Sequence, residues 1–206
     1  MKQITQVSVC VKNKSRSNIY LDGQFFCSMD NLIVIKYGLK EGVKIDEQKL
    51  AEIQEENEFS TALDKALTYI TKYKKTRKQI IEYLMKKGYL YPLAHKVVQK
   101  LESYGFASDS DYASSYVREN IKNKGKLLIK MQLRAKGVDE KTAEQAIDEI
   151  KDETPSAILV AQKYLKNKEL TYENLGKCYR YLLSKGFSYD SAQSAINKFK
   201  GTDDDY

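Results

Sequence analysis

The phrases YLMKKGY, QLRAKGV and YLLSKGF place Gly88, Gly137 and Gly186 49 residues apart, each four residues after a leucine (Leu84, Leu133, Leu182). A constant interval of this size marks stacked units, each too small to bury its apolar face alone. The register continues downstream. Tyr89, Val138 and Phe187 follow the glycines, and Ala94, Ala143 and Ala192 begin a second apolar series. That series runs through Val97/Val98, Ala146/Ile147 and Ala195/Ile196 to Leu101, Ile150 and Phe199. Spacings of three and four put these side chains on one helical face. Pro92, Asp139 and Ser188 suit the starts of these helices.

The segments before the glycines are helical as well. In TRKQIIEYLMKK, Ile80, Ile81 and Leu84 form the stripe, and Thr76 with Gln79 makes a T-x-x-Q capping box. Gly88 then reads as the residue of positive φ that ends the helix. A further helix precedes each pair: from Ser60 with Leu63, Leu67 and Ile70; behind Asp109 as cap with Tyr112, Ala113, Tyr116 and Val117; and from Thr154 as cap and Pro155 in the first turn with Ile158, Leu159, Ala161 and Leu165. The expected fold is mainly α: three tandem three-helix repeats (58–107, 108–153 and 154–200) in an elongated curved stack. An N-terminal region (1–57) precedes them, and an acidic tail (201–206) follows. In the N-terminal region the alternation of Val7, Val9 and Val11, and the hairpin signal at Asp22-Gly23, predict a small three-stranded antiparallel meander over 4–28. Short helices are expected around 30–37 and 46–56.

Charge narrows the choice of partner. The chain carries 35 basic and 28 acidic residues, a balance that suits a polyanion or an acidic protein surface. The excess is local, since residues 58–107 hold ten basic and four acidic side chains. Lys72, Lys74, Lys75, Arg77 and Lys78 stand at the joint of the first two helices of repeat one. Arg118, Lys122, Lys124, Lys126, Lys130 and Arg134 occupy the same place in repeat two, and Lys163, Lys166, Lys168, Lys177 and Arg180 continue the pattern more weakly. A regular stack would align the first two clusters as a basic ribbon, the expected filament- or DNA-binding surface. Single clusters of this kind are ordinary at solvated helix ends; the repetition favours function.

Catalysis has little to work with. The one histidine, His95, lies on a helix away from any nucleophile set, and the phosphate-loop and dinucleotide motifs are absent. Asp109/Asp111 and Asp139/Glu140 sit at helix starts, where capping and the helix dipole account for them. No catalytic, cofactor-binding or metal-binding residue is expected. The odd set Cys10, Cys27 and Cys178 contains no C-x-x-C pair, which points to a reducing cytoplasm, and no run is long enough to span a membrane. Tyr69, Tyr73, Tyr83, Tyr89 and Tyr91 surround the first basic cluster, more as half-buried packing than as base-stacking platforms.

Taken together, the glycine phrases, the SDSDYASSYV segment and YRYLLSKGFSYDSAQSAI resemble the RecX family over about residues 58–200, with Thr76 where a capping Ser is usual. The N-terminal meander looks like the variable extension that precedes the repeats in some members. The resemblance implies a non-enzymatic regulator, in the main an inhibitor, of the RecA recombinase. Such proteins lie in the groove of the RecA–DNA filament and limit its growth, ATP hydrolysis and strand exchange. DNA would be met through the filament or directly, without sequence specificity. Two other readings suit the same features: a stand-alone nucleic-acid-binding protein of helix-turn-helix-like repeats, and a structural scaffold without DNA affinity.

Overall fold

The computed structural model describes residues 1–200. Among them are four strands, β1 (Lys2–Val9), β2 (Arg16–Leu21), β3 (Gln24–Asp30) and β4 (Lys44–Ile45), and ten helices. The helices are α1 (Asn31–Lys36), α2 (Glu47–Thr71), α3 (Arg77–Lys86), α4 (Tyr91–Ser103), α5 (Asp109–Asn120), α6 (Lys126–Ala135), α7 (Glu140–Asp148), α8 (Thr154–Leu165), α9 (Tyr172–Ser184) and α10 (Tyr189–Lys200). The acidic tail lies outside the described residues.

Two compact units divide the chain: residues 1–73 with 80–103, and residues 74–79 with 104 onward. In the first, the sheet is antiparallel in the order β3-β2-β1-β4, one strand more than the expected meander because Lys44–Ile45 pairs with Lys2–Gln3. Asp22 and Gly23 both take positive φ at the β2–β3 hairpin, as a two-residue turn of this twist requires. A register shift between Ile4 and Gln6 breaks the alternation of β1. Ile4 is therefore buried, whereas Val9 and Val11, expected on the same face as Val7, are exposed. Ile4, Ile19, Leu21, Met29 and Ile33 pack with Leu50 and Ile53 of α2.

The two helices expected at 46–56 and from Ser60 are one helix, so the expected division at residues 57/58 falls inside α2. Asn57 faces the sheet and accepts the Asp30 N–H at 2.9 Å. Thr61 bonds back to the Asn57 carbonyl at 2.7 Å and accepts from Arg16 Nη1 at 3.0 Å. The sheet is thus bonded to the middle of the helix, where a boundary was expected.

From α2 onward the helices come in threes, α2–α4, α5–α7 and α8–α10, with Gly88, Gly137 and Gly186 at φ +92°, +93° and +82° after the middle helix of each set. Each glycine ends its helix in the same way: the N–H of Tyr89, Val138 or Phe187 returns to the carbonyl of Leu84, Leu133 or Leu182. The last two sets have cores of their own, one around Val117, Ile129, Leu133 and Ile147, the other around Val160, Leu165, Leu182 and Ile196. Two stripes differ from expectation. Along α2 after Ser60 the fully buried positions are Ala62 and Ala66 rather than the bulkier Leu63 and Leu67. On α8 they include Ala157, Val160, Ala161 and Leu165, while Leu159 is half exposed.

Candidate functional site

The joints between successive repeats lie within the second unit and use equivalent residues. At the first, Thr76 and Gln79 form the expected box, with N–H donations both ways at 3.1 and 3.2 Å. The Thr76 hydroxyl, fully buried, also donates to the Lys136 carbonyl at 2.7 Å. At the second joint the position 49 residues on is Gly125, whose N–H donates to the Lys185 carbonyl at 2.9 Å, while Leu127 N–H donates to Gly186 at 3.1 Å. A carboxylate completes each joint. Asp109 accepts the Arg77 N–H at 2.9 Å, and Glu153 accepts the Lys126 N–H at 2.7 Å and the Ser188 N–H at 2.8 Å. Anions at helix N-termini satisfy free amides and favour the helix dipole. The cap of α5 is therefore Ser108, not Asp109, and Asp152, not Thr154, accepts an N–H at the start of α8. Burial, opposed by the Arg77 N–H and charge and reinforced by Asp139, raises the Asp109 pKa.

The expected ribbon residues occupy several environments. Lys72 follows α2 beside the Tyr73 ring, Lys74 donates to Ser115 Oγ at 3.1 Å, and Lys75 lies in the loop leading to α3. Arg77 opens α3, and the Lys78 stem lies where a side chain on Gly137 would project. Arg118 bonds the Ser114 carbonyl, Lys122 is exposed, and Lys126 opens α6. Lys130 and Arg134 are engaged by acids of α7: Lys130 contacts Glu140 at 2.7 Å and Glu144 at 2.8 Å, and Arg134 contacts Glu140 at 2.8 Å. Those acids follow the basic run by only a few residues and fold back against it. Their hydrogen bonds raise the Lys130 pKa.

A different set recurs in all three repeats. Tyr69 stacks on Tyr83 with ring centroids 4.1 Å apart, and Tyr164 on Tyr181 at 4.7 Å. In the middle repeat Tyr116 O–H donates to Gln132, which stands where Tyr83 and Tyr181 stand in the others. The lysine just before each glycine completes the set: Lys87 is 5.6 Å from the Tyr83 centroid, Lys136 is 5.5 Å from Tyr116 and Lys185 is 5.1 Å from Tyr181. Lys124, half-buried, donates to Asn120 at 2.7 Å and Gln132 at 2.8 Å and also approaches Tyr116. Burial lowers its pKa, and the charges of Lys136 and Lys185 lower it further. The periodic K-G dipeptide was the available signal for Lys87, Lys136 and Lys185. It is eclipsed in sequence by the denser lysine runs. The tyrosine rings, occupied by each other and by ammonium groups, act as packing and cation–π partners.

His95 lies beside the Tyr91 ring, 5.9 Å between centroids. Burial pushes the Cys27 and Cys178 thiols up to about 11, which leaves them weak nucleophiles at neutral pH. Among the described residues no helix is long and apolar enough to cross a membrane.

Family models match three segments: the RecX N-terminal domain at residues 2–46, the second three-helix domain at 108–147 and the third at 152–196. The sheet is therefore part of the similarity and not an extension outside it. The regulatory protein RecX of Clostridium botulinum (strain Eklund 17B / Type B) is 31% identical over 204 residues, 96% of either chain. That of Bacillus subtilis (strain 168) is 30% identical over all of this chain and 80% of its own length. A crystal structure of a regulatory protein RecX superposes with a TM-score of 0.74 at 25% identity, covering 96% of this chain and all of the other. The RecX of Lactobacillus salivarius gives 0.63 at 28% identity over 69% of this chain and 96% of that one. With a sheet-bearing N-terminal domain, three-helix repeats and similarity of this extent, the chain belongs to the RecX family of regulatory proteins.

Proposed function

We propose that the protein regulates the RecA recombinase in the bacterial cytoplasm, chiefly as an inhibitor. It would lie in the groove of the RecA–DNA filament and limit filament growth, ATP hydrolysis and strand exchange. The full-length similarity to RecX regulatory proteins carries this reading. The sequence period supports it physically, because within the second unit the bond from Thr76 to the Lys136 carbonyl recurs 49 residues on between Gly125 and the Lys185 carbonyl. A recurring contact of this kind belongs to a repeat protein, which offers a partner the same features more than once. Sub-stoichiometric protein is expected to suppress the DNA-dependent ATPase of RecA from the same organism, measured by titration. Unchanged turnover at saturating protein removes the reading.

The contact surface proposed for the filament is the basic set at the first two joints: Lys72, Lys74, Lys75, Arg77, Lys78, Arg118, Lys122, Lys124, Lys126, Lys130 and Arg134. Of these, Lys130 and Arg134 must exchange Glu140 and Glu144 for a new anion, so they contribute less. Reversing Lys74, Lys75 and Lys78 to Glu should weaken co-sedimentation with RecA–DNA filaments about a hundredfold. Reversing Lys12, Lys40 and Lys44, at equal change in net charge, should weaken it less than about threefold. Equal losses in the two triples would mean that overall charge, not this surface, provides the attraction.

A further inference from the structure

An open cleft of about 210 Å³ lies at the joint of the second and third repeats, lined by Asn123, Val160, Lys163, Tyr164, Tyr181 and Lys185. Among the described residues no carboxylate lines it. Lys163 reaches Asn123 Oδ1 at 3.5 Å, and Lys168 lies 3.3 Å from the Tyr164 ring centroid. Next to Asn123 is Lys124, whose ammonium feels the charges of both Lys136 and Lys185. Among the described residues Lys124 donates to amide oxygens, which leave its charge uncompensated. Converging ammonium groups in a partly desolvated place repel one another, and an anion relieves that repulsion.

We propose that this cleft binds a phosphate-class oxyanion, held by Lys163 and Lys185 and supported by Lys124 and Lys136. The size is consistent with one phosphate group: pockets that enclose drug-sized ligands run to ~300–1,000 Å³. Two stacked tyrosines form one wall, and their ring faces hold the ammonium groups of Lys168 and Lys185 beside the cleft. Because Lys136 belongs to the second repeat and Lys185 to the third, the bound anion also ties the joint made by Gly125 and Lys185. The anion can be a phosphodiester of a polynucleotide or a free phosphate. Within the second unit the lysine before the glycine recurs at Lys136 and Lys185, which favours successive phosphates of a polynucleotide. This assignment needs no recombinase and is tested without one.

The test compares the full chain with Lys163→Gln/Lys185→Gln and Lys163→Arg/Lys185→Arg, using a labelled thymidine oligonucleotide, inorganic phosphate and poly-glutamate. For a polynucleotide, the Gln double variant should bind the oligonucleotide about tenfold or more weakly, and the Arg variant should bind within about twofold of the parent. The logarithmic salt slope should shrink by about 1.4, two single-strand phosphate contacts. For a free anion, the oligonucleotide data should not change, but phosphate should raise the melting temperature of the parent and not of the Gln variant. Circular dichroism checks the fold; if the double variant is unfolded, Lys163→Gln alone serves, since its bond to Asn123 is at the limit of reach. Poly-glutamate binding that falls in step with oligonucleotide binding overturns the assignment in favour of carboxylates. Parent and variant behaving alike toward every probe overturns it altogether.

Discussion

Gly125→Ala is expected to destabilise the protein by about 3 kcal/mol or more, and Gly88→Ala by only about 1 kcal/mol. The two glycines have opposite problems. Gly88 has positive φ and open space around it, so only the backbone preference opposes a side chain. At Gly125 the backbone is extended, φ −79°, and suits any residue, but a methyl group would overlap the carbonyl group of Gly186 and the nitrogen of Phe187. Gly186 has both problems, with φ +82° and the backbone of Leu128 against it, so Gly186→Ala should be the most damaging of the three. Urea denaturation followed by circular dichroism ranks them. If Gly125→Ala is as mild as Gly88→Ala, the seam between repeats two and three is looser in solution than described.

The glycine period was legible because a helix-ending glycine and its leucine form a local, self-sufficient signal. The seam at Gly125 was not, because close approach between segments sixty residues apart leaves no local pattern. Likewise Ser60-Thr61 looked like a helix start. Within α2 the Thr61 hydroxyl instead bonds back to Asn57, an alternative open to any Thr on a helix. The segment EENEFSTAL contains no Gly or Pro to force a break. A two-residue strand such as β4 is beneath notice in sequence, and the register shift at Ile4/Gln6 defeats a reading of Val9 and Val11 by alternation.

For the candidate site, sequence identified the basic residues but not their partners. Lys130 and Arg134 looked unopposed because α7 follows them by only a few residues, and helix-turn-helix geometry returns its acids onto them. Lys185 stood alone in its own segment, and only the joint brings it toward Lys124. Charge counts predict an attraction to anions; which ammonium groups remain uncompensated is a matter of packing.

The carboxylates at the two joints should respond differently to neutralisation. Glu153 is 4% exposed and caps two helix starts at once, through Lys126 N–H and Ser188 N–H. Glu153→Ala removes two charge-assisted bonds and takes the acceptor from two part-buried amides, an expected loss of about 3 kcal/mol. Glu153→Gln keeps one acceptor oxygen and should lose about half of that. Asp109 accepts the Arg77 N–H, and burial together with Asp139 raises its pKa against the opposing pull of Arg77. The folded state therefore holds this proton more tightly than the unfolded chain. Its contribution is most favourable below the unfolded value and declines as pH rises through the folded one. Asp109→Asn retains an acceptor and removes the charge, so stability at neutral pH should stay level or rise. Relative to the variant, the parent should recover as the pH drops through the carboxylate range. Denaturation of Glu153→Gln and Asp109→Asn at pH 7 and pH 4 distinguishes the two joints. A large loss for Asp109→Asn at pH 7 would show that its charge, and not merely its oxygen, holds the first joint together.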